Sequence, residues 1–473
     1  MADKKIKSYV DDRKSAWETM TDAETKKVLD FGAGYIDFLN TALTERLAAD
    51  IIIAEAKKAG YKDFASVING KTKFKAGEKY FYNIHEKSVI LANTGSEDPS
   101  TGLNIVGSHI DSPRLDFKPN PIVEDGGFAY AKTHYYGGIK KYQWTTIPLR
   151  LEGVVFTKTG KKVTLSIGGK PEDPKFVITD LLPHLAQEQV TKPASEVVPG
   201  EKLNILLGSR PLKDEERNPI KTLVLDYLNK NYGIDEVDFN RAEIEAVPAF
   251  NACDIGLDRS MTGGYAQDDR VCAYASLKAM LEIKKKLTKT AICYFSDKEE
   301  IGSMGNTGAR SAAFRTFVAE LCFAYSNKNT DIRTGRALAN SCMLSADVTA
   351  GFDPLYGDAY DNTNCSFCGR GIALEKYTGA RGKSGASDAN PEFISKVTGL
   401  FDKEKVHWQM NEMGRIDLGG GGTIAQYMAD LGINVIDCGV PVLSMHAPFE
   451  VTSKADLYWT YRAYGVFLTK MSF

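Results

Sequence analysis

TAICYFSDKEEIGS, residues 290–303, passes directly from a short apolar run into two adjacent glutamates. The run is rich in aromatic and β-branched residues and too short for a buried helix, so it reads as a core strand ending at Ser296. Glu299 and Glu300 therefore sit just past a strand end, not on the polar face of a helix. Neighbouring side chains there point in different directions, so one carboxylate can ligate a metal while the other takes a proton from water. A solvated acidic turn is an equal reading of this segment taken alone.

Working outward, the chain repeats the pattern. LNIVGSHID (103–111) is an apolar strand that ends in polar residues, CMLSADV (342–348) ends near Asp347, and INVIDCG (433–439) ends near Gly439. VCAYASLKAMLEIKKK from Val271 has helical periodicity. Strands alternating with helices imply a mostly parallel sheet flanked by helices. The stretch from Pro148 to Gly169 differs: it alternates and turns at Lys158, Thr159 and Gly160 like an antiparallel hairpin. The fold class expected is α/β with an inserted, mainly antiparallel β-rich domain. We place residues 1–118 and 249–473 in the α/β domain and 119–248 in the insertion.

Length and charge bound what such a chain can do. At 473 residues two domains are expected. The 59 basic and 61 acidic residues leave a net charge of -2, which gives no global field for nucleic acid or an anionic membrane. The first twenty residues are charged throughout, and no run approaches the ~20 apolar residues of a membrane span. A soluble, cytoplasmic protein is expected. The eight cysteines are scattered, most of them in apolar runs, as suits reduced core thiols.

The candidate ligands share a position. His109, Glu300 and Asp347 lie at or just past the C-terminal ends of expected strands, the edge where open α/β sheets bind ligands, and His446 follows INVIDCGVP by a short loop. In His109-Ile110-Asp111, the imidazole and the carboxylate fall on one side of an extended segment, so one can bind a metal while the other steers it. Asp268-Asp269-Arg270 opens a helix, and by itself reads as first-turn acids favoured by the helix dipole. In company, one carboxylate could bridge two cations ~3.5–4 Å apart. The set of oxygen and imidazole donors suits zinc, cobalt or manganese. If Asp268 is shared, His109, Asp268, Glu300, Asp347 and His446 give each of two ions three ligands and leave positions open.

Other signals weigh less. Gly419 to Gly422 precedes Thr423, an expected N-cap, but lacks the residues of a phosphate loop. Cys365 and Cys368 form a lone CxxC pair. His85 and His407 are expected at the surface.

The ordered blocks HIDSP, GLDRS, AQDDR, DKEEIGS, LSADV and LSMH resemble the aspartyl aminopeptidase and aminopeptidase I family of dinuclear zinc metallopeptidases, along nearly the whole chain. The resemblance implies a zinc-exopeptidase-like domain with an inserted dimerisation domain, assembled as a homo-oligomer, a tetrahedral dodecamer built from dimers. It implies that two divalent ions, Zn2+ by preference with Co2+ or Mn2+ as substitutes, are held by His109 and Asp347 and by Glu300 and His446, with Asp268 bridging. Glu299 would be the general base and Asp111 the outer carboxylate. Peptides with a free N-terminus are the implied substrates. The resemblance also implies a histidine lent to a neighbouring subunit's substrate site; in LLPHLAQEQ this is His184, with Glu188 as the alternative. Two blocks depart from the family pattern: Asp268-Asp269 stands for Asp-Asn, and SADVTAGFDP replaces a histidine-rich segment. Rival functions are a two-metal amidohydrolase acting on a non-peptide amide and a non-catalytic assembly or cargo protein, against which the complete set of ligands and Glu299 argues.

Overall fold

The computed structural model describes residues 14–328, 331–379 and 381–472; the charged stretch at positions 1–13 lies outside them. The main sheet has nine strands, in the order Lys62–Asp63, Lys79–Ile84, Ser88–Asn93, Ala291–Ser296, Asn104–His109, Cys342–Ala346, Asn434–Gly439, Ile372–Glu375 and Trp408–Asn411. The central four, from Ala291–Ser296 to Asn434–Gly439, are parallel. Ser88–Asn93 and Ile372–Glu375 flank them antiparallel, so the sheet is mixed.

Why the central strands are apolar through their middles is visible in where the side chains go. Val106, Leu344 and Ile436 pack into the cluster that holds the helices Asp22–Leu39, Gln267–Leu281 and Lys454–Lys470. Their neighbours Ile105, Met343 and Val435 pack on the opposite face, with Phe314, Phe317 and Leu321 of the helix Ala313–Ser326. Successive residues point to opposite faces, and both faces are covered, so the strands show no regular alternation of apolar and polar residues.

The middle of the chain builds a second sheet of six strands, all antiparallel, in the order Lys162–Ile167, Leu149–Phe156, Ala242–Pro248, Arg114–Asp125, Phe128–Tyr136 and Ile205–Gly208. The hairpin expected from Pro148 to Gly169 is present, with Gly160 in the turn at φ 81°. This sheet has its own core of Leu115, Ile122, Leu151, Leu165, Ile205, Phe239 and Ile244. A third sheet was not foreseen. Its strands are Cys253–Ile255, Met261–Gly264, Glu450–Ser453, Pro441–Leu443 and Thr349–Ala350. Its strands border three segments that carry ligand candidates: Met261–Gly264 precedes Asp268, Thr349–Ala350 follows Asp347, and Pro441–Leu443 and Glu450–Ser453 flank His446.

Three local expectations need correction. Asp268 and Asp269 do not act as first-turn acids: they belong by hydrogen bonding to Gln267–Leu281 but have non-helical torsions, and the bond between them is cis. Thr423 is one residue short of the N-cap, which is Ile424. Cys253 is exposed and His407 is half-buried against the Trp459 ring, whereas His85 is exposed as expected. All eight cysteines are free thiols.

Candidate metal centre

Each ligand candidate arrives by a different route. His109 is the last residue of its strand, Asp347 follows Cys342–Ala346 directly, and Glu299 and Glu300 form a single helical turn after Ala291–Ser296. Asp268 stands in the non-helical entry to Gln267–Leu281. His446 lies in the loop between Pro441–Leu443 and Glu450–Ser453 of the third sheet. The fold brings all of them to one place. His109 Nε2 is 3.0 Å from Asp268 Oδ1 and 3.6 Å from Asp347 Oδ1. His446 Nε2 is 3.2 Å from Asp268 Oδ2 and 3.4 Å from Glu300 Oε2. Donor atoms of His109, Glu299 and Asp347 also lie within 4.8 Å of one another. The two oxygens of Asp268 thus face different histidines, one accompanied by Asp347 and the other by Glu300.

Asp111 organises the near side. Fully buried, it accepts from the Glu299 and Glu300 amides at 3.0 and 3.1 Å and from the Tyr136 hydroxyl at 2.9 Å, and its Oδ1 lies 3.2 Å from His109 Nδ1. One carboxylate therefore holds both the glutamate turn and the orientation of an imidazole whose other nitrogen faces Asp268. Asp269 accepts from the His109 amide at 3.2 Å, and Arg270, also buried, donates to the carbonyl of Asp111 and to Ser112 Oγ.

Glu450 was missed by the sequence reading. It is buried, and its two oxygens accept separately from the amides of Asp268 at 3.2 Å and His446 at 2.8 Å. Burial, and then the charge of Asp268, push its carboxyl up to about 8. No local pattern could have flagged it, since PFEVTS (448–453) reads as an ordinary strand entry. His184 stands apart: it is exposed, in the turn Pro183–Leu185, with Glu188 also exposed nearby and Leu181, Leu182, Leu185 and Val190 exposed around them.

The electrostatics are those of a site short of positive charge. Burial and then Asp347 hold Glu299 well above the carboxylate range, and burial and then Asp268 do the same to Glu300. Burial works against the charged form of His446, yet its hydrogen bond to Asp268 and the charge of Glu300 raise it to about 11. Glu300 Oε1 is buried without a hydrogen-bond partner. Crowded carboxylates with an orphaned oxygen and two imidazoles fit divalent cations, which would replace the missing charge and use the unpaired donor atoms.

The chain as a whole is similar to known proteins. The family model of the aminopeptidase I zinc metalloproteases (M18) matches residues 38–468. A probable M18 family aminopeptidase 1 from Clostridium acetobutylicum is 47% identical over 459 residues, covering 96% of this chain and 98% of that protein. A crystal structure of an M18 aminopeptidase from Thermotoga maritima superposes with a TM-score of 0.93 at 42% identity, covering 97% of this chain and 100% of the other. The crystal structure of aminopeptidase I from Clostridium acetobutylicum gives 0.91 at 44%, covering 98% and 100%.

Proposed function

The chain belongs to the aminopeptidase I zinc metalloprotease (M18) family and is a zinc-dependent aminopeptidase, and from this premise we propose that the cluster at the main sheet's edge is its catalytic centre. His109 and Asp347 would hold one zinc ion, Glu300 and His446 the other, with Asp268 shared between them. The observation that carries this assignment is the facing of the two Asp268 oxygens toward two histidines. Zinc at such positions supplies Lewis-acid chemistry, drawing electron density from a carbonyl oxygen and making water more acidic.

The protein's own part is orientation and proton transfer. Glu299, held through its amide by Asp111, accepts the proton of the attacking water as the new carbon–oxygen bond forms. It returns that proton to the peptide nitrogen as the carbon–nitrogen bond breaks. Asp111 keeps His109 Nε2 directed at the bridging carboxylate. The free α-amino group of the peptide confines cleavage to the N-terminal residue. The test is turnover of an unblocked aminoacyl anilide beside its N-acetyl form, with zinc supplied to both. Cleavage of the free form alone supports an aminopeptidase, whereas cleavage of both in equal measure points to a general amidohydrolase.

The assembly is part of this reading. We place 1–118 and 249–473 in the catalytic domain and 119–248 in a dimerisation domain of a homo-oligomer, a tetrahedral dodecamer built from dimers, with the first boundary falling inside the strand Arg114–Asp125 of the inserted sheet. The yeast mApe1 dodecamer shares the fold, at 19% identity and a TM-score of 0.74. The exposed Leu181, Leu182, Leu185 and Val190 are the apolar surface such a contact would cover, and it would carry His184 into a neighbour's substrate site. Among the described residues no helix is long and apolar enough to cross a membrane. Eight free thiols suit a reducing compartment, and we place the enzyme in the cytoplasm.

A further inference from the structure

The strand Phe128–Tyr136 of the antiparallel sheet runs out at the metal centre, and the residues that end it touch three of the site's side chains. The Tyr136 hydroxyl donates to Asp111 Oδ2 at 2.9 Å, the same oxygen that accepts the Glu300 amide at 3.1 Å. Gly137 has φ 76°, and a Cβ on it would stand 3.3 Å from Glu300 Oε2. The Gly138 carbonyl lies 2.8 Å from His446 Nδ1, and a Cβ on Gly138 would stand 3.3 Å from that nitrogen. A carbonyl can only accept, so Nδ1 carries the proton and Nε2 is left to face Asp268 and Glu300.

We propose that Tyr136-Gly137-Gly138 is a positioning strap for the metal centre: it sets the His446 tautomer through the Gly138 carbonyl and shares the Asp111 carboxylate through the Tyr136 hydroxyl. The inference rests on the assignment of His446 and Glu300 as ligands above. Two features make the strap stiff enough for this. Tyr136 pairs in register with Arg114, whose guanidinium stacks on its ring at 3.8 Å. Arg114 is in turn buried between Glu45 at 3.3 Å and Glu245 at 3.1 Å, one on the helix Glu45–Lys58 and the other on Ala242–Pro248. The strap is thus anchored to both the antiparallel sheet and the helical layer. Its two glycines permit an approach to Glu300 and His446 that a side chain would crowd, so the backbone itself serves as the hydrogen-bonding surface. Partners that orient a ligand from behind typically change metal affinity or activity 10- to 100-fold when removed, which is roughly the effect the strap should have.

The test uses the zinc-loaded enzyme and its cobalt-substituted form. Tyr136→Phe keeps the ring and the Arg114 stack and removes only the hydroxyl; Gly138→Ala crowds His446; Gly335→Ala, at an open position in the helix Asp331–Ala339, is the control. Metal retained against graded chelator, the visible absorption of the cobalt form, and near-ultraviolet circular dichroism are recorded for each. Tyr136→Phe and Gly138→Ala should keep the native dichroism, lose metal at a chelator concentration about 10- to 100-fold lower than wild type, and shift the cobalt bands. Gly335→Ala should do none of these. Wild-type retention and an unchanged cobalt spectrum in Tyr136→Phe would overturn the strap, whatever Gly138→Ala does. His446→Ala, run in parallel, separates the two levels: if it retains both ions the ligand assignment itself has failed, and if it alone sheds metal only the strap has.

Discussion

Asp268 and His446, 178 positions apart in the chain, meet at 3.2 Å between Oδ2 and Nε2, while the other oxygen of the same carboxylate is 3.0 Å from His109. As the proposed bridge, this carboxylate should matter to both ions. Asp268→Ala is expected to lose both on dialysis, whereas His446→Ala or Asp347→Ala should mainly weaken one. Elemental analysis of the dialysed proteins checks this asymmetry; two tightly held ions in Asp268→Ala would rule out the bridge.

Glu299→Gln keeps the shape of the side chain and the amide contact to Asp111, but loses the group that moves the proton. Metal content should stay at the wild-type level while kcat falls ~10²–10⁴-fold. Retention of more than about a tenth of wild-type kcat would contradict the assignment.

Glu450 uses one oxygen for each of two ligand-bearing amides. In Glu450→Gln one of those amides must face an NH2 group instead of an acceptor, at a cost of about 1–3 kcal/mol for the buried unsatisfied donor. The expected result is weaker binding of both ions, because Asp268 and His446 lose their common anchor. Chelator titration of the variant measures it, and retention equal to wild type would show that the third sheet alone holds these loops.

His184 lies outside its own chain's cluster, so its proposed role is testable by complementation. In a neighbour's site it would donate to the oxyanion formed during attack, and loss of one such donor typically costs ~10²–10³ in rate. His184→Ala should therefore lower kcat with metal content and assembly intact. Mixing His184→Ala with Glu299→Gln subunits before assembly should restore activity, because some sites then pair an intact Glu299 with an intact lent histidine. A mixture that stays inactive despite demonstrated subunit exchange would refute the lending. The same mixing with Glu188→Ala decides between the two candidates.

Arg114 carries the stability prediction. It is buried with Glu45 and Glu245, both themselves buried. Arg114→Ala leaves three carboxylates, Glu45, Glu245 and Asp116, the last 2.8 Å from the Arg114 Nε, without their shared cation, a change worth roughly 3–5 kcal/mol. Denaturant unfolding should show a lower midpoint, and a midpoint within the error of wild type would mean that Lys87, 3.2 Å from Glu45, suffices.

Much of this was legible locally. An apolar run that ends in polar residues is a statement about one strand and its end, which is why the four central strands and the positions of His109, Glu300 and Asp347 could be read from short stretches. The turn at Gly160 was equally local. Asp268-Asp269 misled for the same reason: two acids before a helical pattern look like first-turn residues, and only the surrounding contacts, such as Ser112 Oγ donating to the Asp268 carbonyl at 2.6 Å, hold the entry out of the helix.

What the sequence determined by itself was therefore the four central strands and the hairpin, the α/β class and the chemical type of the donors, because periodicity and residue chemistry act over a few positions. What the tertiary structure decided was which atoms meet. The two faces of Asp268, the anchoring by Glu450 and the contact of Tyr136 and Gly138 with Asp111 and His446 join segments from different sheets. Such contacts exist only once long loops close and separate cores pack, and no short-range pattern encodes the angle at which three sheets come together.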